Sequence, residues 1–262
     1  MWQQVENIIS QYQKSNLQSA INFEEFNRIA IVHHSSAIEG STLTFVETQL
    51  LLQEGITAKG KPMEHHLMVQ DHYDALKLVL DSAKKKIPVT RIFIQQINAA
   101  VMKRTGGIIN SAAGSFDSSK GDLRLLSVTA GDTFFVNYQK VPKMLDDLCN
   151  EIETKIKTVS SNEEIIKLSF DAHYYFVSIH PFADGNGRTS RLLMNFIQAY
   201  HNKPLSIVYT EDKKDYIEAL KKTRETEKIA VFREFMCSQY VKYLSEELEK
   251  FKKQDRNISF LL

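Results

Sequence analysis

Helical periodicity through most of the chain predicts an all-α domain interrupted by one small β-hairpin. Three observations support this. Apolar residues recur at helical spacing over most of the sequence. Glycine and proline are scarce, 10 and 5 in 262 residues, so few helices are interrupted. Five of the ten glycines (Gly106, Gly107, Gly114, Gly121 and Gly131) fall in one stretch, which marks the irregular insert.

In chain order, helices are expected over about 3–14, 23–38, 44–54, 62–84, 89–104, 142–157, 162–178, 188–201, 212–222 and 229–252. Within 62–84, His65, His66 and His72 share a helix, but His65 and His66 point to different faces and lack the i,i+4 zinc spacing. Lys84-Lys85-Lys86 reads as a solvated helix end suited to the dipole. The hairpin is expected from Leu125–Thr129 and Phe134–Tyr138, rich in β-branched and aromatic residues and joined by Ala130-Gly131-Asp132-Thr133. For 162–178, Ser161 and Glu164 form a capping box. Ile165, Leu168, Ala172, Phe176 and Ile179 then line one face. The next helix carries Leu192-Leu193-Met194-Asn195-Phe196-Ile197, apolar nearly all round, as a central buried helix would be. The last helix is amphipathic and ends in the apolar tail Ile258-Ser259-Phe260-Leu261-Leu262. Phe251 and Phe260–Leu262 are left to pack on the body of the chain or on a second copy, a homodimer.

Composition excludes several classes. Lys+Arg is 33 and Asp+Glu 32, a net charge of +1, so no overall field steers the chain onto nucleic acid or an anionic membrane, and neither is expected as a partner. The two cysteines, Cys149 and Cys237, make no disulfide framework and no metal-ligand spacing. No apolar run reaches the ~18 residues of a membrane helix, and the N-terminal MWQQVENIISQYQK lacks the pattern of a signal peptide. A cytoplasmic protein is the expectation.

Chemistry concentrates in the polar loop between the two core helices, His180-Pro181-Phe182-Ala183-Asp184-Gly185-Asn186-Gly187-Arg188. Its glycines let the backbone turn tightly and approach a ligand. The helix that follows points its free N–H groups into the loop and makes an anion site. Asn186 adds an amide donor, and Arg188 and Arg191, three apart, are placed to clamp phosphate oxygens. Asp184 is a hard oxygen ligand suited to Mg²⁺ beside phosphates. His180 titrates near neutrality and can take a proton from an attacking hydroxyl. Together these parts describe transfer of a phosphorus-centred group to an alcohol. Each part alone is common. Eight specified residues in nine positions, at about 5% usage each, arise by chance with odds on the order of 10⁻¹⁰, so the whole string outweighs its parts.

His-Pro-Phe-x-Asp-Gly-Asn-Gly-Arg resembles the signature of Fic-domain proteins, and the match continues through Thr189-Ser190-Arg191-Leu192-Leu193-Met194-Asn195. Upstream, Gly121-Asp122-Leu123-Arg124 and the hairpin resemble the approach to that family's flap. The resemblance covers most of 30–225 and implies an all-α Fic fold with a small hairpin flap. Its enzymes commonly act as protein adenylyltransferases, nucleotidyltransferases that move AMP from ATP to a Ser, Thr or Tyr hydroxyl of a protein. By that resemblance His180 is the general base and Asp184 holds Mg²⁺. Gly185, Asn186, Gly187 and Arg188 cradle phosphates, Arg191 meets the γ-phosphate, and Tyr216 lies in the nucleotide site. The flap near Val128, Thr129, Phe134 and Phe135 aligns the target segment.

Ser35-Ser36-Ala37-Ile38-Glu39-Gly40 is similar to the family's inhibitory motif [ST]xxxE[GN], which implies a built-in brake on a helix over about 24–40. Glu39 paired with Arg191 would occupy the guanidinium and repel the γ-phosphate. ATP would then bind with its α-phosphate turned from in-line attack. The same carboxylate can orient a water for removing AMP, which leaves a bifunctional enzyme open. The organisation expected is an N-terminal region 1–60 with the brake, a core 61–225 with flap (about 121–140) and catalytic loop (180–188), and a C-terminal helix and tail 226–262. The resemblance thins in the base pocket: Tyr216 is followed by Ile217 where a Tyr pair is frequent, and Thr223-Arg224 stands near a frequent Asn. ATP, an unidentified target protein and self-modification are the expected partners. The alternatives are the same scaffold transferring another nucleotidyl or phosphate group, and a non-catalytic nucleotide-binding interaction module.

Overall fold

The computed structural model describes residues 1–15, 17, 23–131 and 133–259, with the side chains of Ala130 and of 253–259 left aside. Among these residues run α1 (Trp2–Lys14), α2 (Phe23–Ile38), α3 (Phe45–Glu54), α4 (Met63–Lys84), α5 (Arg91–Val101), α6 (Val141–Ile156), α7 (Asn162–Ile179), α8 (Asn186–Tyr200), α9 (Lys213–Thr226) and α10 (Ile229–Ser259). Each expected helix is present, with ends shifted by a few residues.

The caps explain the boundaries. Thr44 and Glu47 close a capping box on α3, with Thr44 N donating to Glu47 Oε2 at 2.8 Å. Thr90 accepts from Phe93 N at the start of α5. Ser161 and Glu164 make the expected box on α7. Each such cap supplies about 1 kcal/mol.

The core sits on α8. Leu192, Leu193, Met194, Phe196 and Ile197 are all 1% exposed or less, because α7, α4 and α5 pack around that helix. Burying each of these side chains is worth about 1.5–3 kcal/mol, so the helix that opens at the catalytic loop is anchored along its whole length. α1 packs on α10 and α7, and α2 lies against α3 and α4 and reaches α8. Phe251 packs on this core, while Phe260–Leu262 lie outside the described residues. His65 and His66 serve as local ties rather than a cluster: His65 Nδ1 accepts from Thr42 N (3.2 Å) and His66 Nε2 from Ala58 N (2.9 Å).

The glycine-rich insert departs from expectation in two ways. It contains an unforeseen antiparallel hairpin, β1 (Ile108–Ser111) with β2 (Gly114–Asp117), in the register Ile108↔Asp117. Its strands are only four residues long, and β1 (Ile-Ile-Asn-Ser) sets its apolar residues side by side in sequence, so periodicity gives no signal. The expected flap strands are also much shorter. β3 (Thr129–Ala130) pairs with β4 (Thr133–Phe134), extended by Phe135 N donating to Val128 O at 3.3 Å. Leu126 and Val136, expected in strands, give their carbonyls to a buried arginine instead, and 138–140 form a 3-10 turn.

Candidate active site

The loop between α7 and α8 is held from three sides. His180 ends α7 in the left-handed region (φ 54°), a strained place for a non-glycine residue that surrounding bonds must maintain. Its N–H donates to Phe176 O at 3.0 Å, and its carbonyl accepts from Arg124 Nε at 2.8 Å. The Asn186 side chain closes the loop on itself, accepting from Phe182 N (3.0 Å) and donating to Phe182 O (2.9 Å). From α5, Asn98 Nδ2 donates to Asp184 O and to Thr189 Oγ1, both at 3.1 Å. The Asn186 amide therefore latches the loop through its oxygen and one of its two N–H donors. Its second amide N–H and its backbone N–H are not used by this latch.

Among the described residues no side chain caps α8, so the N–H groups of its first turn open into the loop without an intrahelical partner, as an anion site requires. Glu39 occupies the approach to them. α2 ends at Ile38 and Gly40 takes φ 105°, which turns the chain sharply away and leaves Glu39 directed at α8. Its carboxylate lies so close to Gly187 that a Cβ there would stand 2.2 Å from Glu39 Oε1. Arg191 completes the contact: Nη2 donates to Glu39 Oε1 at 2.6 Å and to Ser35 O at 3.0 Å, and Nε donates to Ser35 Oγ at 2.8 Å. The Glu39 side chain is 29% exposed while its carboxylate faces inward. Burial would push that carboxyl up, but Arg191, with Arg188 and Lys213 adding to the field, holds it below the ordinary carboxylate value.

The two loop arginines turn to different partners. Arg191 turns to α2. Arg188, 1% exposed, turns under the loop, with Nη1 donating to Val101 O (3.3 Å) and Nη2 lying 3.6 Å from Asp184 Oδ2. Three-residue spacing puts their Cβ atoms on one side, but each long side chain follows the nearest acceptors. Among the described residues Arg188 Nε has no partner, which leaves it a donor to spare.

His180, Glu39, Gly187, Arg191 and Tyr216 line one cavity of about 540 Å³, roofed by Thr133 and Phe135 of the flap and walled by α9. Tyr216 is buried, its hydroxyl 2.8 Å from His173 Nε2. Phe135 stacks on the His180 ring at 3.9 Å between centroids and 19° between planes. Phe134 is 84% exposed, Thr129 is exposed and Val128 half-buried, so the flap keeps one open face. His180 Nδ1 lies 3.4 Å from Val177 O; an N–H there leaves Nε2 as the proton acceptor. Burial pushes the His180 pKa down to about 4, with the charge of Arg124 adding to that effect, so the ring is neutral at pH 7.

This burial carries a stability prediction. His180 and His33 are both pushed down from 6.5 to about 4, chiefly by burial. Between those values the unfolded chain binds protons that the folded chain refuses. Their contribution is complete above about pH 6.5 and is lost as pH falls toward 4. Thermal unfolding should show Tm falling between about pH 7.5 and about pH 5, with the unfolding free energy lower by on the order of 1 kcal/mol per half-buried histidine at the lower end. A Tm flat over that range would count against a buried neutral His180.

Asn98 and Arg124 were not singled out from sequence as site residues. Asn98 had a legible signal, a polar residue on the apolar stripe of Ile94, Ile97 and Val101. Arg124 had none beyond its place before the flap.

Comparisons with known proteins follow the same site. A sequence profile described as the Fic/DOC family matches residues 88–198, which include α5, both hairpins, the loop and nearly all of α8. Residues 88–198 are a Fic domain. Its fold is that of a Fic-domain-containing signaling protein from Bacteroides thetaiotaomicron, at TM-score 0.79 and 22% identity over 95% of this chain and 98% of that one. It is similar also to Fic-1 from C. elegans, at TM-score 0.77 and 22% identity over 96% and 72%. Among curated relatives, "Protein adenylyltransferase Fic" of Drosophila grimshawi is 29% identical over 195 residues and that of Drosophila melanogaster 30% over 195 residues, each 74% of this chain. The matched region spans 38% and 37% of those relatives, so this Fic chain corresponds to well under half of their length. No helix among the described residues is long and apolar enough to cross a membrane.

The Fic loop has one residue suited to a divalent ion. The Asp184 side chain is 67% exposed, with Oδ1 accepting from Gly185 N at 2.6 Å. Among the described residues no three metal-ligating side chains converge. A single hard carboxylate beside an anion site fits Mg²⁺ that arrives bound to phosphates rather than an all-protein cage.

Proposed function

We propose that this Fic domain transfers AMP from ATP to a Ser, Thr or Tyr hydroxyl of a target protein and that Glu39 restrains it. The observation that carries the reading is the Arg191–Glu39 pair at 2.6 Å, seated at the open N-terminus of α8 in the cavity that holds a neutral His180. A carboxylate there stands where an anionic phosphate would bind. The Drosophila relatives, named as protein adenylyltransferases, support the same chemistry.

In this reading His180 Nε2 takes the proton of the target hydroxyl. The oxygen attacks the α-phosphorus, and the bond from that phosphorus to the bridging oxygen breaks, so pyrophosphate leaves with the electron pair. The first-turn N–H groups of α8 and Arg191 hold the phosphates. Asp184 would hold Mg²⁺, which would supply charge neutralisation for the leaving group. Glu39 in place repels the γ-phosphate and withholds Arg191, and with a bound water it can serve the reverse removal of AMP. Residues 1–60 then carry the brake, 61–225 the transferase and 226–262 the C-terminal helix and tail. Two buried free cysteines, Cys149 and Cys237, suit a reducing cytoplasm.

A second reading, transfer from another nucleotide, is favoured by the α9 wall, where Lys213, Lys221 and Arg224 present donors. Intact mass distinguishes the two readings. The chain with Glu39→Gly, incubated with Mg²⁺ and ATP, GTP, CTP or UTP in turn, should gain one AMP from ATP. An adduct from another nucleotide would replace the donor in this account. Nucleotide binding without any adduct would favour a binding module.

A further inference from the structure

We propose that Arg124 is a positioning residue that locks the flap to the catalytic loop and so sets the register in which a target segment meets His180. This rests on the reading of the site as a hydroxyl-modifying transferase.

Arg124 is 1% exposed, yet its hydrogen-bond partners among the described residues are all neutral carbonyl oxygens. Nε donates to His180 O at 2.8 Å, Nη1 to Leu126 O at 2.7 Å and Nη2 to Val136 O at 2.6 Å. Its own N–H donates to Pro181 O at 3.1 Å. Burying a guanidinium with no carboxylate is a poor way to gain stability, since desolvation is repaid only by neutral acceptors. Its distinctive property is geometric: one planar fork ties three segments at fixed angles, which a lysine ammonium cannot do.

The three carbonyls belong to the start of the catalytic loop, the chain rising into the flap and the chain leaving it. The flap needs such a tie. Its ladder pairs two residues on each side, and so short a hairpin does not hold its own place in water. Above the base, Phe135 stacks on His180 and Arg224 Nη1 donates to Thr133 Oγ1 at 3.0 Å. Those contacts set the tip, and Arg124 sets the base. An extended segment added to the flap edge inherits the height of the flap over His180, and near-attack geometry is sensitive to shifts of an ångström.

The test uses the full chain with Glu39→Gly, alone and with Arg124→Gln or Arg124→Lys. Three quantities are read: self-modification by Mg²⁺-ATP, Mg²⁺-ATP affinity by calorimetry, and amide hydrogen exchange. With Arg124→Gln the rate should fall at least about tenfold while affinity stays within about twofold. Amides of 128–136 should exchange at least about tenfold faster, with those of α7 and α8 unchanged. Arg124→Lys should behave nearly as the glutamine variant. Full rescue by lysine, unchanged flap exchange, or loss of protection across α7 and α8 together would overturn the proposal. If Glu39→Gly alone transfers nothing from any nucleotide, the transferase reading fails, and with it the register role of Arg124. Faster flap exchange would then show only that Arg124 holds the loop and flap together.

Discussion

Replacing Glu39 by glycine should raise self-modification with ATP and Mg²⁺ by about 10²-fold or more. Arg191 now spends three hydrogen bonds on Ser35 and Glu39, and the Glu39 carboxylate lies against Gly187 at the mouth of the anion site. Removing that carboxylate frees a buried guanidinium and clears a negative charge from the place a γ-phosphate would take. Both changes act on the positioned, reactive complex more than on nucleotide binding as such. The rate of appearance of the adduct by intact mass, compared between the wild type and Glu39→Gly at saturating nucleotide, measures the effect. Equal and low rates, with nucleotide bound by both proteins, would remove the brake from the account.

The second large effect is expected at His180. In the Glu39→Gly background, His180→Ala should lower the rate by about 10²–10⁴-fold, while Mg²⁺-ATP affinity changes by no more than about twofold. The ring is half-buried under Phe135, neutral at pH 7 and poised with one nitrogen free to accept a proton. None of the nucleotide-facing groups named above depends on the imidazole. Loss of affinity in step with loss of rate would assign His180 to binding instead.

Much of this protein is legible along the chain because much of it is local. Caps such as Ser161–Glu164 and apolar stripes such as that of α7 act within a turn or two of helix, and the observed helices follow them. The composition of the loop, with His180, Asp184, two glycines and two arginines, is likewise readable in nine to twelve consecutive residues. Where strands are only two to four residues long, as in both hairpins, there is too little periodicity to read.

The sequence by itself determined the helices, the inventory of the loop and the presence of a glutamate motif that resembles a brake. Tertiary structure decided which groups meet. Glu39 and Arg191 are 152 residues apart, and no local pattern states that α2 ends against α8. Arg188 and Arg191 look alike in sequence, yet one finds Val101 O and the other finds Ser35 and Glu39. Asn186 reads as a ligand donor in sequence and also latches the loop, while Arg124 carries no signal of its own and joins three segments. A long polar side chain goes where acceptors are, and in a buried site those acceptors are supplied by elements distant in the chain.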